Sequence, residues 1–211
     1  MWSSASFSGG HLHCSRLDDN TPEKAPTDVN DASERVILVD DEDREIGTAP
    51  KLLAHERGNL HRAFSVMIHD PEGRLLLQKR HSGKYHSGGL WTNACCGHPR
   101  PGEDTMDAAA RRLKEEMGFT CALTPLGTLI YRAEVGGNLI EHELVHIFAG
   151  LYEGAIHPDP QEADDIAWRS LSEIRHEAEA TPKTYTVWFR KYLDHEWPFR
   201  PIPGATHRQN A

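Results

Sequence analysis

The stretch that decides the fold is residues 97–119, GHPRPGEDTMDAAARRLKEEMGF. In its middle part, apolar side chains recur every three to four residues, at Met106, Ala110, Leu113 and Met117. This spacing forms one apolar stripe on a helix. Gly118 follows the last of them, where a left-handed residue commonly ends a helix. The pattern predicts a helix over residues 104–117 between a loop rich in proline and glycine and a second loop.

Short apolar runs on both sides of this helix predict strands. They cover residues 35–40, 62–69, 74–80, 90–96, 126–132 and 139–149. Asp70-Pro71-Glu72-Gly73 is typical of a hairpin turn, and Gly136-Gly137-Asn138 supplies a second turn. Two closing helices are predicted over residues 170–179 and 183–196. Strands around a central helix, with helices last, indicate a mixed α/β or α+β sandwich.

The chain has 211 residues, which suits one domain. Residues 1–33 are rich in small and polar types and cannot bury enough apolar surface to order themselves. We therefore predict a disordered tail over 1–33, a domain over 34–197 and a flexible tail over 198–211. No run approaches the roughly 18 apolar residues of a membrane span, and the first ten residues lack the pattern of a secretory signal.

The net charge and the spacing of the cysteines limit the class of partner and the cellular compartment that we expect. The formal net charge of −9 argues against a nucleic-acid partner. It leaves room for an anionic small molecule held by a local group of cations. Four unevenly spaced cysteines do not form a disulfide framework, so we expect reduced thiols in the cytoplasm. We also expect a monomer or a weak dimer.

Two glutamates and three histidines predict a metal site. Glu141 and Glu143 project from the same face of the strand over 139–149. Buried carboxylates need a cationic partner. The best nitrogen donors are His55, His61 and His98. This donor set suits a divalent ion such as Mn, Zn, Fe or Mg. His142 points to the opposite face, and no motif supports His146.

Residues 97–119 resemble the Nudix box, G-x5-E-x7-R-E-U-x-E-E-x-G-U, in which U is a bulky aliphatic residue. The two departures are Arg112, where the box has glutamate, and Phe119. The arginine replaces a metal ligand with a phosphate-binding cation, which weakens the case for hydrolysis. Glu115 and Glu116 could form a solvated helix face or, because they are held on a rigid helix, coordinate Mg2+.

The flanking residues make the resemblance specific. WTNACCGHP at 91–99, HRAFS at 61–65 and EHE at 141–143 surround the box. Together they resemble the type 1 isopentenyl-diphosphate isomerases, a Nudix branch, from about residue 36 to 197. The resemblance implies an α+β, Nudix-like α/β/α sandwich with a mixed sheet and a loop–helix–loop motif. It also implies an acid–base 1,3-allylic proton shift that interconverts isopentenyl and dimethylallyl diphosphate in isoprenoid biosynthesis.

The resemblance further implies roles for individual residues. The catalytic group comprises Cys96, Glu143, Tyr131 and Trp188. The substrate-binding group comprises Lys51, Arg80, Lys84, Arg112 and Gly97. One divalent metal would be held by His55, His61, His98, Glu141 and Glu143. Glu116 would hold the Mg2+ that accompanies the diphosphate. The remaining thiols are interpreted as small hydrophobes: Cys14, Cys95 and Cys121.

Two rival functions share parts of this pattern. A Nudix diphosphate hydrolase would use the same box, but it needs the glutamate that Arg112 replaces and has no use for Cys96. A metal-stabilised binding module would use the histidines and glutamates as a structural site. Structural zinc sites are usually four-coordinate and rich in cysteine, which these five nitrogen and oxygen donors are not.

Overall fold

The structure, a computed structural model, describes residues 34–200. Residues 1–33 and 201–211, which hold most of the two predicted tails, lie outside the described part. Phe199 is buried in the core, so the packing continues two residues beyond the predicted end of the domain. No helix within residues 34–200 is long and apolar enough to cross a membrane.

Nine strands and four α-helices make up the described chain. In order they are β1 (Arg35–Val39), β2 (Glu45–Pro50), α1 (Lys51–Arg57), β3 (His61–His69), β4 (Leu75–Arg80), β5 (Trp91–Asn93), β6 (Cys95–Gly97), α2 (Thr105–Met117), β7 (Leu123–Gly136), β8 (Leu139–Leu151), β9 (Ala163–Arg169), α3 (Leu171–Ala180) and α4 (Val187–Leu193). Neither β2, α1 nor β9 was predicted from the sequence.

The sheet is mixed and is organised around β3. This strand pairs antiparallel with β1 and β6 and parallel with β8. β8 continues the sheet through its antiparallel partner β7, and β4 connects to β5 and β9. The predicted turn between β3 and β4 exists, but the two strands pair only at His69 and Leu75, beside the turn.

Helices cover both faces of the sheet. Side chains along β3 alternate in direction, so its apolar residues project from both faces and pack on helices there. Phe64 and Ile68 join a buried cluster with Leu113 and Met117 of α2. Met67 belongs to the opposite cluster, which includes the aromatic side chains of α4. The predicted α/β/α sandwich of the α+β class is therefore confirmed.

The ends of α2 follow from its flanking residues. The Asp104 side chain accepts hydrogen bonds from the backbone amides of Met106 and Asp107, which lack partners inside the helix. Gly118 closes the helix in the left-handed conformation, with φ of 78°. The loop–helix–loop prediction is confirmed.

The predicted single strand over 90–96 is wrong, because the chain breaks at Ala94 into β5 and β6. β5 pairs with β4, whereas β6 pairs with β3. One continuous strand could not serve both partners here. The Ala94 carbonyl leaves the ladder and accepts a hydrogen bond from Gln78 Nε2 at 2.8 Å.

The predicted closing helix over 183–196 is also too long. A short 3-10 turn occupies Pro182–Thr184, and Tyr185 is extended and bridges to Trp91. α4 then begins after Thr186 and ends at Leu193. The tertiary contact at Tyr185 interrupts a sequence that is locally compatible with one helix.

Candidate active site and metal centre

A cavity of about 610 Å³ is lined by side chains of both α2 and α4, together with strand residues. All the predicted site residues except His61 line it: Lys51, His55, Arg80, Lys84, Cys96, Gly97, His98, Arg112, Glu116, Tyr131, Glu141, Glu143 and Trp188. His61 is fully buried, and its Nε2 lies 3.2 Å from His98 Nε2. The fold thus brings together residues that lie up to 137 positions apart in the sequence, from Lys51 to Trp188.

The metal-site candidates converge because β3 and β8 are parallel and in register. His61 at the start of β3 is the direct partner of Glu143 on β8. His98 follows β6, the antiparallel neighbour of β3, and its Nε2 lies 3.0 Å from Glu143 Oε1. Glu141 lies two residues before Glu143 on the same face, with His55 Nε2 3.2 Å from its Oε2.

Backbone carbonyls orient two of the imidazoles. His55 Nδ1 lies 2.7 Å from the Lys51 carbonyl, and His61 Nδ1 lies 2.8 Å from the Asn59 carbonyl. A carbonyl only accepts, so each Nδ1 carries the proton and donates. The Nε2 lone pairs then point into the cluster, as in histidines that bind metals.

The cluster leaves buried acceptors facing each other. His55 Nε2 and Glu141 Oε2 both lack a partner with hydrogen-bond geometry, although they are only 3.2 Å apart. The three imidazoles also present nitrogens within 4.8 Å of one another. Acceptors buried in this way need a cation between them. The donor set therefore fits a divalent metal ion.

Two of the three imidazoles have the protonation that metal binding requires. At His55, against the effect of burial, the contact with the Glu141 carboxylate raises the pKa. Burial, together with the charge of His98, lowers the pKa of His61 to about 4. Burial and the charge of Lys51 lower the pKa of His98 to about 3. Both rings are therefore neutral at pH 7, which is the form in which histidine ligates metals.

Glu143 and Cys96 present two exchangeable protons to the cavity. Burial and the charge of Glu141 raise the pKa of Glu143 to about 7, and the Tyr131 hydroxyl donates to its Oε2 at 2.6 Å. Burial raises the pKa of Cys96 to about 12, against hydrogen bonds that lower it. At neutral pH the thiol is thus protonated, while the carboxyl group can both gain and lose a proton.

The surroundings of Cys96 include three residues to which the sequence analysis gave no role. The thiol donates to Asn93 Oδ1 at 3.1 Å and lies 3.2 Å from Ser65 Oγ. Ser65 Oγ in turn lies 2.9 Å from the Tyr192 hydroxyl. Asn93 and Ser65 stand inside the WTN and HRAFS motifs, which was the available signal. Tyr192 had none.

The two neighbouring thiols have different surroundings. Cys95 faces α2, is fully buried, and has its sulfur 3.4 Å from Glu116 Oε1. Its direction is opposite to that of Cys96 because successive side chains of a strand alternate between the two faces of the sheet. Gly97 lies so close to Phe64 that an added Cβ would be 3.0 Å from the ring. Cys14 lies outside the described residues.

Each predicted diphosphate-binding cation has a contact that holds it at the cavity. Lys51 pairs with Glu34 at 2.8 Å, and Lys84 pairs with Glu162 at 2.7 Å. The Arg80 guanidinium lies 5.2 Å from the centre of the Trp188 ring. Glu34 and Glu162 could not be predicted from the sequence, because a single glutamate in a loop carries no spacing signal.

Arg112, which departs from the Nudix pattern, contacts Glu116, which matches it. Arg112 Nη2 lies 2.8 Å from Glu116 Oε1 and 3.0 Å from Glu162 Oε1. Glu116 is only 4% exposed and also accepts a hydrogen bond from Gln78. Burial raises its pKa in spite of Arg112. The solvated-face alternative therefore describes the exposed Glu115 but not Glu116.

His86 is a further residue that the sequence analysis missed. Its Nε2 lies 3.2 Å from Glu141 Oε1, and burial lowers its pKa to about 3. It stands in a loop without periodicity, so no pattern singled it out. His142 and His146 instead contact the Gly58 carbonyl and Asp43, away from the cluster.

Comparison with known proteins places the chain in a family. The NUDIX domain family matches residues 59–189. The chain is 48% identical over 172 residues to isopentenyl-diphosphate Delta-isomerase 2 of Aromatoleum aromaticum, covering 82% of this chain and 91% of the relative. It is 51% identical over 156 residues to the isopentenyl-diphosphate Delta-isomerase of Serratia proteamaculans, covering 74% and 87%.

Solved structures support the fold alone. The crystal structure of DR0079 from Deinococcus radiodurans matches with a TM-score of 0.59 at 16% identity, covering 70% of this chain and 90% of that one. The fold that carries this cavity is thus shared with a protein of very different sequence. The sequence itself is similar to those of the two isomerases. The chain belongs to the NUDIX domain family and, within it, to the isopentenyl-diphosphate Delta-isomerases.

Proposed function

We propose that this chain interconverts isopentenyl diphosphate and dimethylallyl diphosphate by moving one proton on and another off the five-carbon unit. The observation that carries the proposal is a single cavity lined by the Cys96 thiol, the Glu143 carboxyl group and the four cationic side chains predicted to bind the diphosphate. The partner is thus a small anionic diphosphate. We expect it to act in the cytoplasm, as a monomer or a weak dimer.

The chemistry needs an acid and a base that reach the same short alkene. One member of the pair adds a proton to the terminal carbon, which produces a tertiary carbocation. The other removes a proton from the carbon nearer the diphosphate. Cys96 keeps its proton at neutral pH, and burial raises the pKa of Glu143 to about 7 when no metal ion is bound, so the pair offers one group that holds a proton and one that can accept it.

Trp188 is suited to stabilise the cationic intermediate. Its indole Nε1 donates to Thr92 Oγ1 at 2.9 Å, which fixes the ring as part of the cavity wall. The face of an indole attracts a desolvated cation by about 2 kcal/mol or more. Tyr131 has a different role, since its hydroxyl holds Glu143 Oε2 in place.

The metal centre and the cavity mouth would complete the site. We propose one divalent ion, Mn2+, Zn2+ or Mg2+, among His55, His61, His98, Glu141 and Glu143. Such an ion supplies a fixed charge that orients Glu143 and lowers its proton affinity. Lys51, Arg80, Lys84 and Arg112 would bind the diphosphate, and Gly97 would lie beside it. Glu116 would hold the Mg2+ that accompanies the diphosphate.

A proton NMR assay tests the proposal. The full-length chain is incubated with isopentenyl diphosphate and Mg2+ beside Cys96→Ala and Glu143→Gln. We expect dimethylallyl diphosphate from the wild type and almost none from either variant. Wild-type turnover by both variants would eliminate the acid–base pair.

Two controls separate this activity from its rivals. Cys95→Ala should keep most of the activity per folded protein, because its sulfur faces α2; an inactive Cys95→Ala would mean that the wrong thiol was assigned. Release of phosphate from nucleoside diphosphates, without isomerisation, would instead favour a Nudix hydrolase. Loss of metal without loss of isomerase activity would make the metal structural.

A further inference from the structure

His86 lies between the metal-site carboxylate Glu141 and the aromatic wall of the cavity. Its Nε2 is 3.2 Å from Glu141 Oε1, and its ring meets the Trp188 ring edge-on at 5.9 Å. Its side chain is only 6% exposed. Nothing in the acid–base chemistry described above uses this imidazole.

The proton positions of His86 follow from its neighbours. A carboxylate accepts hydrogen bonds but cannot donate them, so the tautomer with its proton on Nε2 is the one that suits the 3.2 Å contact with Glu141 Oε1. The Ser87 hydroxyl lies 3.3 Å from Nδ1 and can donate to it. One neutral tautomer therefore satisfies both ring nitrogens. The other oxygen of Glu141, Oε2, is left to face His55.

His86 lies next to the residues assigned to the metal centre, and it forms a candidate donor group of its own with His55 and Glu141. His55, His61 and His98 present donor nitrogens within 4.8 Å of one another, whereas His86 shares a group of that size only with His55 and Glu141. His55 has a single free lone pair, since its Nδ1 donates to the Lys51 carbonyl. One lone pair cannot serve two ions, so a second cation site at His86 is disfavoured.

We propose that His86 is a positioning residue for the metal centre: it fixes one oxygen of Glu141 so that the other is presented to the ion. Outer hydrogen-bond partners of metal ligands typically contribute 10–100-fold to metal affinity. His86 also contacts the ring of Trp188, so the orientation of the Glu141 carboxylate is linked to the cavity wall that would face the substrate. The proposal rests on the metal centre of the proposed function.

Three substitutions at residue 86 separate the donor from the bulk of the ring. In His86→Gln the amide nitrogen occupies roughly the position of Nε2 and can still donate to Glu141. In His86→Asn the amide reaches only the position of Nδ1, and His86→Ala has no donor. The control is His176→Ala, on the exposed face of α3.

Metal affinity is measured on the full chain after chelator treatment, by titration with Mn2+ and detection of free Mn2+ by electron paramagnetic resonance. We expect Kd to rise about 10–100-fold in His86→Ala and His86→Asn. His86→Gln and His176→Ala should stay close to the wild type. Thermal unfolding of each metal-free variant identifies any that fail to fold. If His86→Ala does not fold, the Kd of His86→Gln is compared with that of His86→Asn, and a weaker affinity in His86→Asn supports the proposal.

The outcomes distinguish this proposal from the proposed function. A wild-type chain that binds no Mn2+ would refute the metal centre itself. Tight binding by the wild type and equally tight binding by His86→Ala would overturn only the role of His86. A Co2+ absorption spectrum that changes in His86→Gln, as when a nitrogen ligand is lost, would also overturn it, because His86 would then be a ligand.

Discussion

The substitution Arg112→Met tests how much the buried ion pair between Arg112 and Glu116 stabilises the protein. Arg112 Nη2 lies 2.8 Å from Glu116 Oε1, and Glu116 is 4% exposed. Removing one partner of a buried ion pair costs about 3–5 kcal/mol, because the other charge stays buried without compensation. Glu116 keeps its bond from Gln78, and Arg112 is 26% exposed, so we expect the lower end, about 3 kcal/mol.

A double-mutant cycle with Glu116→Gln isolates the pair. The neutral amide that this substitution introduces does not need a cation, so Arg112→Met should cost much less in that background. We expect a coupling energy of about 1.5–3 kcal/mol. Urea unfolding followed by circular dichroism, at pH 7 without divalent ions, gives the four free energies of unfolding.

Arg111→Met is the matched control for this cycle. Arg111 is the preceding residue on α2 and pairs with Glu103 and Glu115, neither of which is deeply buried. The pair with Glu115 is more exposed and contributes about 1 kcal/mol or less, and the partly buried pair with Glu103 should contribute less than a fully buried one. A loss below about 0.5 kcal/mol for Arg112→Met, or strict additivity with Glu116→Gln, would refute the buried pair as a source of stability.

Three further changes test other parts of the molecule. Tyr131→Phe removes the 2.6 Å bond to Glu143, and a bond to a charged group contributes about 1.5–3 kcal/mol, so steady-state kinetics should show kcat reduced about 10–100-fold with KM little changed; an unchanged kcat would contradict the assignment. His69→Gln tests the pH dependence of stability: burial lowers the pKa of His69 below 6.5, so protons bind preferentially to the unfolded chain. The free energy of unfolding of the wild type minus that of the variant should therefore rise with pH up to about 6.5 and then level off, and a difference that falls over this range would refute the burial argument. Gly118→Ala should lower the free energy of unfolding by about 1–3 kcal/mol, because φ is 78° and an added Cβ would clash with the His157 carbonyl; an unchanged melting temperature would show that this loop adapts freely.

The elements predicted correctly are those whose signals are local. The periodic apolar residues and the Gly118 cap of α2 lie within residues 104–118, so no distant contact is needed to define the helix. The predicted stripe is correct only at Leu113 and Met117, because Met106 is exposed and Ala110 is half-buried, and Ala108 and Ala109 are buried instead. The capping box of α3 is equally local, with Ser170 and Glu173 bonded reciprocally. The break at Ala94 and the short α4 depend on partner strands and on the bridge between Tyr185 and Trp91, which no local pattern contains.

The same division holds for the site. Residues inside motifs could be proposed in advance, because the spacing of WTNACCGHP and of the box is itself distinctive. Glu34, Glu162 and His86 could not, because each is a single polar residue in an irregular segment. Each of them is distinguished by the charged group that it contacts in the folded chain. Glu34 lies beside Lys51, Glu162 contacts two cations, and His86 lies beside Glu141. Such environments exist only after the sheet has formed.

The identity of the thiol in the cavity is set by strand register and not by any local difference between two adjacent cysteines. Cys96 pairs with Ser65, and antiparallel partners share a face, so its sulfur lies with Ser65 on the α4 side of the sheet. Cys95 pairs with Val66 and packs on the α2 side. A slip of one residue would exchange the two sulfurs. The break at Ala94 lets β6 keep its own register on β3 while β5 follows β4, which is why a three-residue strand can place one thiol at the cavity.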